Sequence, residues 1–106
     1  MTVYILNTPV LTAYGEYRFS GPLTTAEAVH HLQGDFTSAV GHGAAAAFLS
    51  RLLDLEIPKQ RITIAMQAGD SALVLRLRTR LAEGRTLSET EMAQVDFELG
   101  WLQRLD

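Results

Sequence analysis

Ala72-Leu73-Val74-Leu75-Arg76-Leu77-Arg78-Thr79 alternates leucine with other side chains, and a period of two is the signature of a β-strand. Leu73, Leu75 and Leu77 take one face, which the pattern assigns to a core. Just upstream, Arg61-Ile62-Thr63-Ile64-Ala65-Met66-Gln67 repeats the period with Ile62, Ile64 and Met66 aligned. Ala68-Gly69-Asp70-Ser71 lies between the two runs and has turn chemistry. Together they predict a β-hairpin. The second strand's other face carries Arg76, Arg78 and Arg80, roughly 6.8 Å apart along the strand. That spacing is comparable with the phosphate repeat of a nucleotide chain. With Arg85, four of the chain's nine basic residues fall within ten positions, all of them arginine. Arginine's planar fork matches phosphate. Two readings stand: an anion-binding face, or a charged edge strand that resists aggregation.

Upstream of the hairpin, Ser38-Ala39-Val40-Gly41-His42-Gly43 runs into Ala44-Ala45-Ala46-Ala47-Phe48-Leu49-Ser50-Arg51-Leu52-Leu53. Ala45, Phe48, Leu49, Leu52 and Leu53 form an apolar stripe at helical spacing, and Ile57-Pro58 closes the segment. The helix start leaves amide N–H groups unpaired and favours an anion there. Gly41 and Gly43 allow a ligand close to the backbone, and His42 adds a titratable group. The stretch reads as a phosphate site with a proton donor or acceptor beside it, or as a Gly-rich loop whose histidine faces water. Past the arginine strand, Arg80-Leu81-Ala82-Glu83-Gly84 supplies an acid. Brought near His42, Glu83 would favour the imidazolium form.

The rest of the chain frames these segments. Val3–Leu6 reads as a buried strand ended by Asn7-Thr8-Pro9, and Leu11 to Gly15 as a loop. Tyr17-Arg18-Phe19 reads as a short strand before the Gly21-Pro22 break. Thr24-Thr25-Ala26-Glu27 is a capping box that opens a helix to about Gln33, with Gly34 as its stop. His30 and His31 are adjacent on that helix and point apart, so they do not share a metal. Ser88-Glu89-Thr90-Glu91 is a second capping box, and Phe97 to Leu105 reads as a last strand.

At 106 residues the chain is one domain, 1–106, with no linker or repeat. It contains no cysteine, which removes disulfides, thiolate metal sites and a cysteine nucleophile and suits a reducing cytoplasm. Met1 to Pro9 lacks the basic start and long apolar region expected of a secretion signal, and no run approaches the length of a membrane span. A net charge of −3 argues against binding long nucleic acid, but a small anion needs only a local basic patch.

The order of these elements resembles the viral type III anti-CRISPR ring nuclease family and its bacterial and phage relatives. The resemblance rests on Leu6-Asn7-Thr8-Pro9-Val10-Leu11-Thr12, Ser38 to His42, Ile57-Pro58 with Arg61, Gly69-Asp70, Arg76 through Gly84, and Glu98-Leu99-Gly100. It implies an α/β fold, a mixed sheet of about five strands with helices packed on its faces, assembled as a homodimer. It also implies cleavage of cyclic tetra-adenylate, without metal or other cofactor, into linear di-adenylates with 2′,3′-cyclic phosphate ends. By position, the catalytic histidine falls on His42, the supporting arginine on Arg80 and the acid on Glu83. Asn7 and Arg76 fall on ligand-contacting positions. The work would take place in the cytoplasm, a host's if the owner is viral. This chain departs from the viral pattern at Gly43, Ala44 and Ala45, where small hydroxyl residues follow the histidine, and at Val10, where a serine is usual. The alternatives are a protein that sequesters a cyclic oligonucleotide uncut, or an interaction domain of a mobile element.

Overall fold

The computed structural model describes residues 2–7, 13–77 and 96–106. In chain order these form β1 (Val3–Leu6), β2 (Tyr17–Leu23), α1 (Thr25–His31), β3 (Thr37–Ser38), α2 (Gly43–Leu53), β4 (Ser71–Leu77) and β5 (Phe97–Arg104). One sheet takes the order β2-β5-β4-β1-β3. Strand β1 runs parallel to both β3 and β4, while β5 runs antiparallel to β4 and β2. The mixed five-strand α/β sheet is the architecture expected, and both described helices lie on one of its faces. Arg78, Arg80, Glu83, Arg85, the second capping box and Thr8 to Thr12 lie outside the described residues.

Strand β4 is the sheet's centre, and its sequence says why. Leu73 and Leu75 pack with Ile5, Leu99 and Trp101 beneath α1 and α2. Ala72 and Val74 are equally inaccessible on the other face, with Leu6, Met66 and Leu102. A strand covered on both sides needs apolar residues at nearly every position, so the face opposite the leucines is core until Arg76. Buried aliphatic side chains of this kind contribute about 1.5–3 kcal/mol each.

The expected hairpin does not form. Residues 61–67 make no ladder, because β1 holds one edge of β4 and β5 the other. The period-two apolar pattern serves a different end. Met66 is buried and Ile64 half-buried against the sheet face that the helices leave open, while Ile62 is exposed. The turn itself is present, closed by Asp70 N–H donating to the Gln67 carbonyl at 2.9 Å. Gly69 supplies its positive φ of 90°.

Strand β2 continues through Gly21-Pro22, where the sequence predicts a break. It is an edge strand with a register shift between Ser20 and Leu23, the setting in which a proline that cannot donate is tolerated. Strand β3, two residues long, carries no pattern of its own and is recruited by pairing Thr37 and Ser38 with Tyr4 and Ile5.

Helix α1 has its capping box: Thr24 Oγ1 accepts from Glu27 N–H at 3.1 Å, and Glu27 Oε1 from Thr24 N–H at 2.9 Å. The helix stops at His31 with Leu32 as C-cap, before Gly34. His31 stacks on Trp101 with ring centroids 4.1 Å apart, which accounts for that histidine without a metal. Helix α2 ends on Asp54, a non-glycine residue held left-handed at φ 53°. Asp54→Gly removes that steric cost and is expected to raise stability by about 1 kcal/mol, read as a higher urea midpoint. No helix among the described residues is long and apolar enough to cross a membrane.

Candidate functional site

Because β1, β3 and β4 are mutually parallel, their carboxyl ends open on one rim of the sheet. Open α/β sheets bind ligands outside such ends. Asn7 follows β1 there, half-buried. Ala39 to His42 follow β3, anchored by Ala39 N–H donating to the Ile5 carbonyl at 2.9 Å. Arg76 lies near the end of β4.

His42 is the N-cap of α2, in extended conformation, and its ring caps no amide. No acidic residue occupies the first turn, so the N–H groups there keep their partial positive charge. The His42 ring is partly buried, and its Nδ1 is fully enclosed with no hydrogen-bond partner among the described residues. An enclosed, unsatisfied nitrogen costs about 1–3 kcal/mol. Among the described residues no group repays that cost, and a buried polar atom left in this way calls for an explanation.

Two cations flank this turn. A Cβ at Gly41 would stand 3.4 Å from Arg61 Cγ, and one at Gly43 would stand 3.8 Å from Lys59 Cδ. Both stems therefore run alongside the Gly41-His42-Gly43 backbone. They are held by tertiary bonds rather than by sequence proximity. Gln60 N–H donates to the Val40 carbonyl at 2.9 Å, and Ser38 Oγ donates to the Pro58 carbonyl at 2.7 Å. Farther back, Ser50 Oγ accepts from Ile57 N–H at 3.1 Å. Lys59 escapes a reading of the sequence because nothing local marks it.

Arg76 faces away from the helices and pairs with Glu98 Oε1 at 2.8 Å. It lines a shallow groove with Phe19, Pro22 and Gly100. An exposed pair of this kind is worth at most about 1 kcal/mol, so its guanidinium is open to exchange for a phosphate. The structure thus gathers Gly41, His42, Gly43, Lys59 and Arg61 at one end of α2, with Asn7 on the same rim and Arg76 two strands away from β3. The places expected for Arg80 and Glu83 lie outside the described residues. Among the described residues no three of His, Cys, Asp and Glu come together to hold a metal ion.

Comparison with known proteins places this architecture. The family model described as STIV B116-like matches residues 3–99. The chain belongs to the STIV B116-like family. Protein 26 of Sulfolobus islandicus filamentous virus is 37% identical over 105 residues, covering 94% of this chain and 88% of its own. ORF117 of Acidianus two-tailed virus is 32% identical, covering 99% and 95%. YddF of Bacillus subtilis is 28% identical, covering 100% of both chains, so similarity to this chain extends to a bacterial protein. B116 of Sulfolobus turreted icosahedral virus superposes with a TM-score of 0.73 over 98% of this chain and 100% of that one. At 20% identity, that likeness speaks to the B116-like fold.

Proposed function

We propose that this B116-like protein is a metal-independent ring nuclease. It binds cyclic tetra-adenylate at a cavity shared by two subunits and cuts it to linear di-adenylates with 2′,3′-cyclic phosphate ends, switching off type III CRISPR signalling. The observation that carries the reading is His42, opening an uncapped helix with an unsatisfied enclosed Nδ1 between the stems of Lys59 and Arg61. An imidazole beside cations and free amides suits a phosphodiester and the proton its cleavage requires.

The substrate brings its own nucleophile. The ribose 2′-oxygen bonds to the adjacent phosphorus and surrenders its proton to solvent or a nearby base. The bond from phosphorus to the 5′-oxygen breaks, and His42 protonates the departing oxygen. Holding the sugar and phosphate in line is worth about 7–11 kcal/mol of barrier. The α2 amides stabilise charge on the phosphorane, with Arg80 in the supporting role that the resemblance gives it, while Lys59 and Arg61 bind the phosphate in the ground state and the transition state alike. Asn7 and Arg76 hold the ring farther out. A twofold dimer sets one His42 at each of two opposite phosphates of a four-membered ring, giving two cuts and dinucleotide products.

EDTA-treated protein incubated with labelled cyclic tetra-adenylate is expected to release di-adenylates that end in cyclic phosphate. An intact ring after prolonged incubation removes the proposal. Tight binding without turnover identifies a sequestering protein instead, consistent with the missing hydroxyls at Gly43, Ala44 and Ala45. Absence of binding leaves an interaction domain.

A further inference from the structure

Ser38 is the last residue of β3, nearly inaccessible at 4% exposure, and its hydroxyl joins three pieces of the rim. The oxygen donates to the Pro58 carbonyl at 2.7 Å and accepts the Val40 N–H at a long 3.4 Å. Val40 in turn accepts from Gln60 N–H at 2.9 Å. The arm from Pro58 to Arg61 is therefore fastened at alternate residues to the strand that carries the His42 turn. Lys59 and Arg61, the intervening residues, point their stems along that turn. The arm belongs to no strand or helix, so its place depends on these bonds. The hydroxyl is what satisfies the Pro58 carbonyl, and alanine would leave that carbonyl without its bond to the strand.

We propose that the Ser38 hydroxyl is a positioning group, fixing the Pro58–Arg61 arm so that Lys59 and Arg61 present their charges to a phosphodiester at His42. The inference rests on the proposed phosphodiester chemistry at this site. Ser38 itself touches no substrate; it acts through the arm. Lys59 in particular gains a role that neither its position in the sequence nor its own bonds would suggest. The arrangement separates tasks: His42 handles the proton, and the arm sets the local field in which the substrate is held.

The test is a double-mutant cycle between Ser38→Ala and the pair Lys59→Gln with Arg61→Gln, assayed on cyclic tetra-adenylate. Ser38→Ala is expected to raise KM about five- to tenfold and to flatten the dependence of KM on salt concentration, since fewer cations engage the phosphates. The kcat and its pH profile should stay at the wild-type level. In the Lys59→Gln, Arg61→Gln background the same change should add almost nothing. A crystal structure of Ser38→Ala should show the arm displaced from the Gly41-His42-Gly43 turn. Should Ser38→Ala fail to fold, Ser38→Cys, of similar size and a poor donor, takes its place in every arm of the experiment. Additive effects, an unchanged salt slope or an unmoved arm would overturn the positioning role while wild-type turnover stands. A wild-type protein that neither binds nor cuts the ring would remove the phosphodiester reading and this inference with it.

Discussion

His42→Ala is expected to lower turnover of cyclic tetra-adenylate by about 10²- to 10⁴-fold while leaving its affinity near that of the wild type. General acid catalysis is felt as the leaving oxygen takes up charge, so its removal falls on kcat rather than on binding. The same substitution carries a second, opposite expectation. The His42 side chain accepts no capping bond from the α2 amides, and its enclosed Nδ1 has no partner among the described residues. Alanine therefore removes a penalty and costs no bond, and the variant's melting temperature should equal or exceed the wild type's. A variant that loses turnover because it unfolds would show the reverse. Retained turnover in a folded variant would take the proton transfer away from His42.

Asp70→Asn is expected to cost about 2–3 kcal/mol of stability at neutral pH. Asp70 is buried, and its two carboxylate oxygens accept from Thr2 N–H and Gln67 N–H, each at 2.8 Å. Burial by itself pushes the carboxyl pKa up, but those two backbone N–H groups, with the charge of Arg104, more than offset it and hold the group below the usual carboxylate range. The sign follows from linkage. A carboxyl that is more acidic when folded binds fewer protons than the unfolded chain does at mildly acid pH. Its contribution is complete above the unfolded value of about 3.9 and drains away as pH drops through the folded value. Urea unfolding at successive pH values should therefore show the gap between wild type and Asp70→Asn closing below about pH 4. A gap that stays constant with pH would assign the loss to packing instead.

How much of this the residues reveal depends on whether the deciding contact is local. Both described helices, the capping box at Thr24 and Glu27, and strands β1, β4 and β5 follow from patterns a few residues long. Strand β3 does not, because two residues have no period and owe their state to β1. The 61–67 run carries a true alternation, yet a strand needs a free neighbouring edge as well as a pattern, and β4 has none to offer. Asp70 reads as turn chemistry. Its larger role requires Thr2, which lies 68 residues away. The site divides the same way. His42 between glycines at a helix start is visible in the sequence, whereas Lys59 beside it is a consequence of Ser38 and Val40 holding the arm. Arg76, expected at a ligand-contacting position, is paired with Glu98 on the neighbouring strand, a partner 22 positions distant.

The pairing of β2 with β5 has a consequence for how the chain is made. Among the described strands, β2's ladder partner is β5, with Tyr17 opposite Arg104, so its bonds wait for residues far along the chain. Joining segments so distant costs loop-closure entropy before any contact rewards it. During synthesis Phe19 and its neighbours therefore wait for β5 to emerge before their ladder can close.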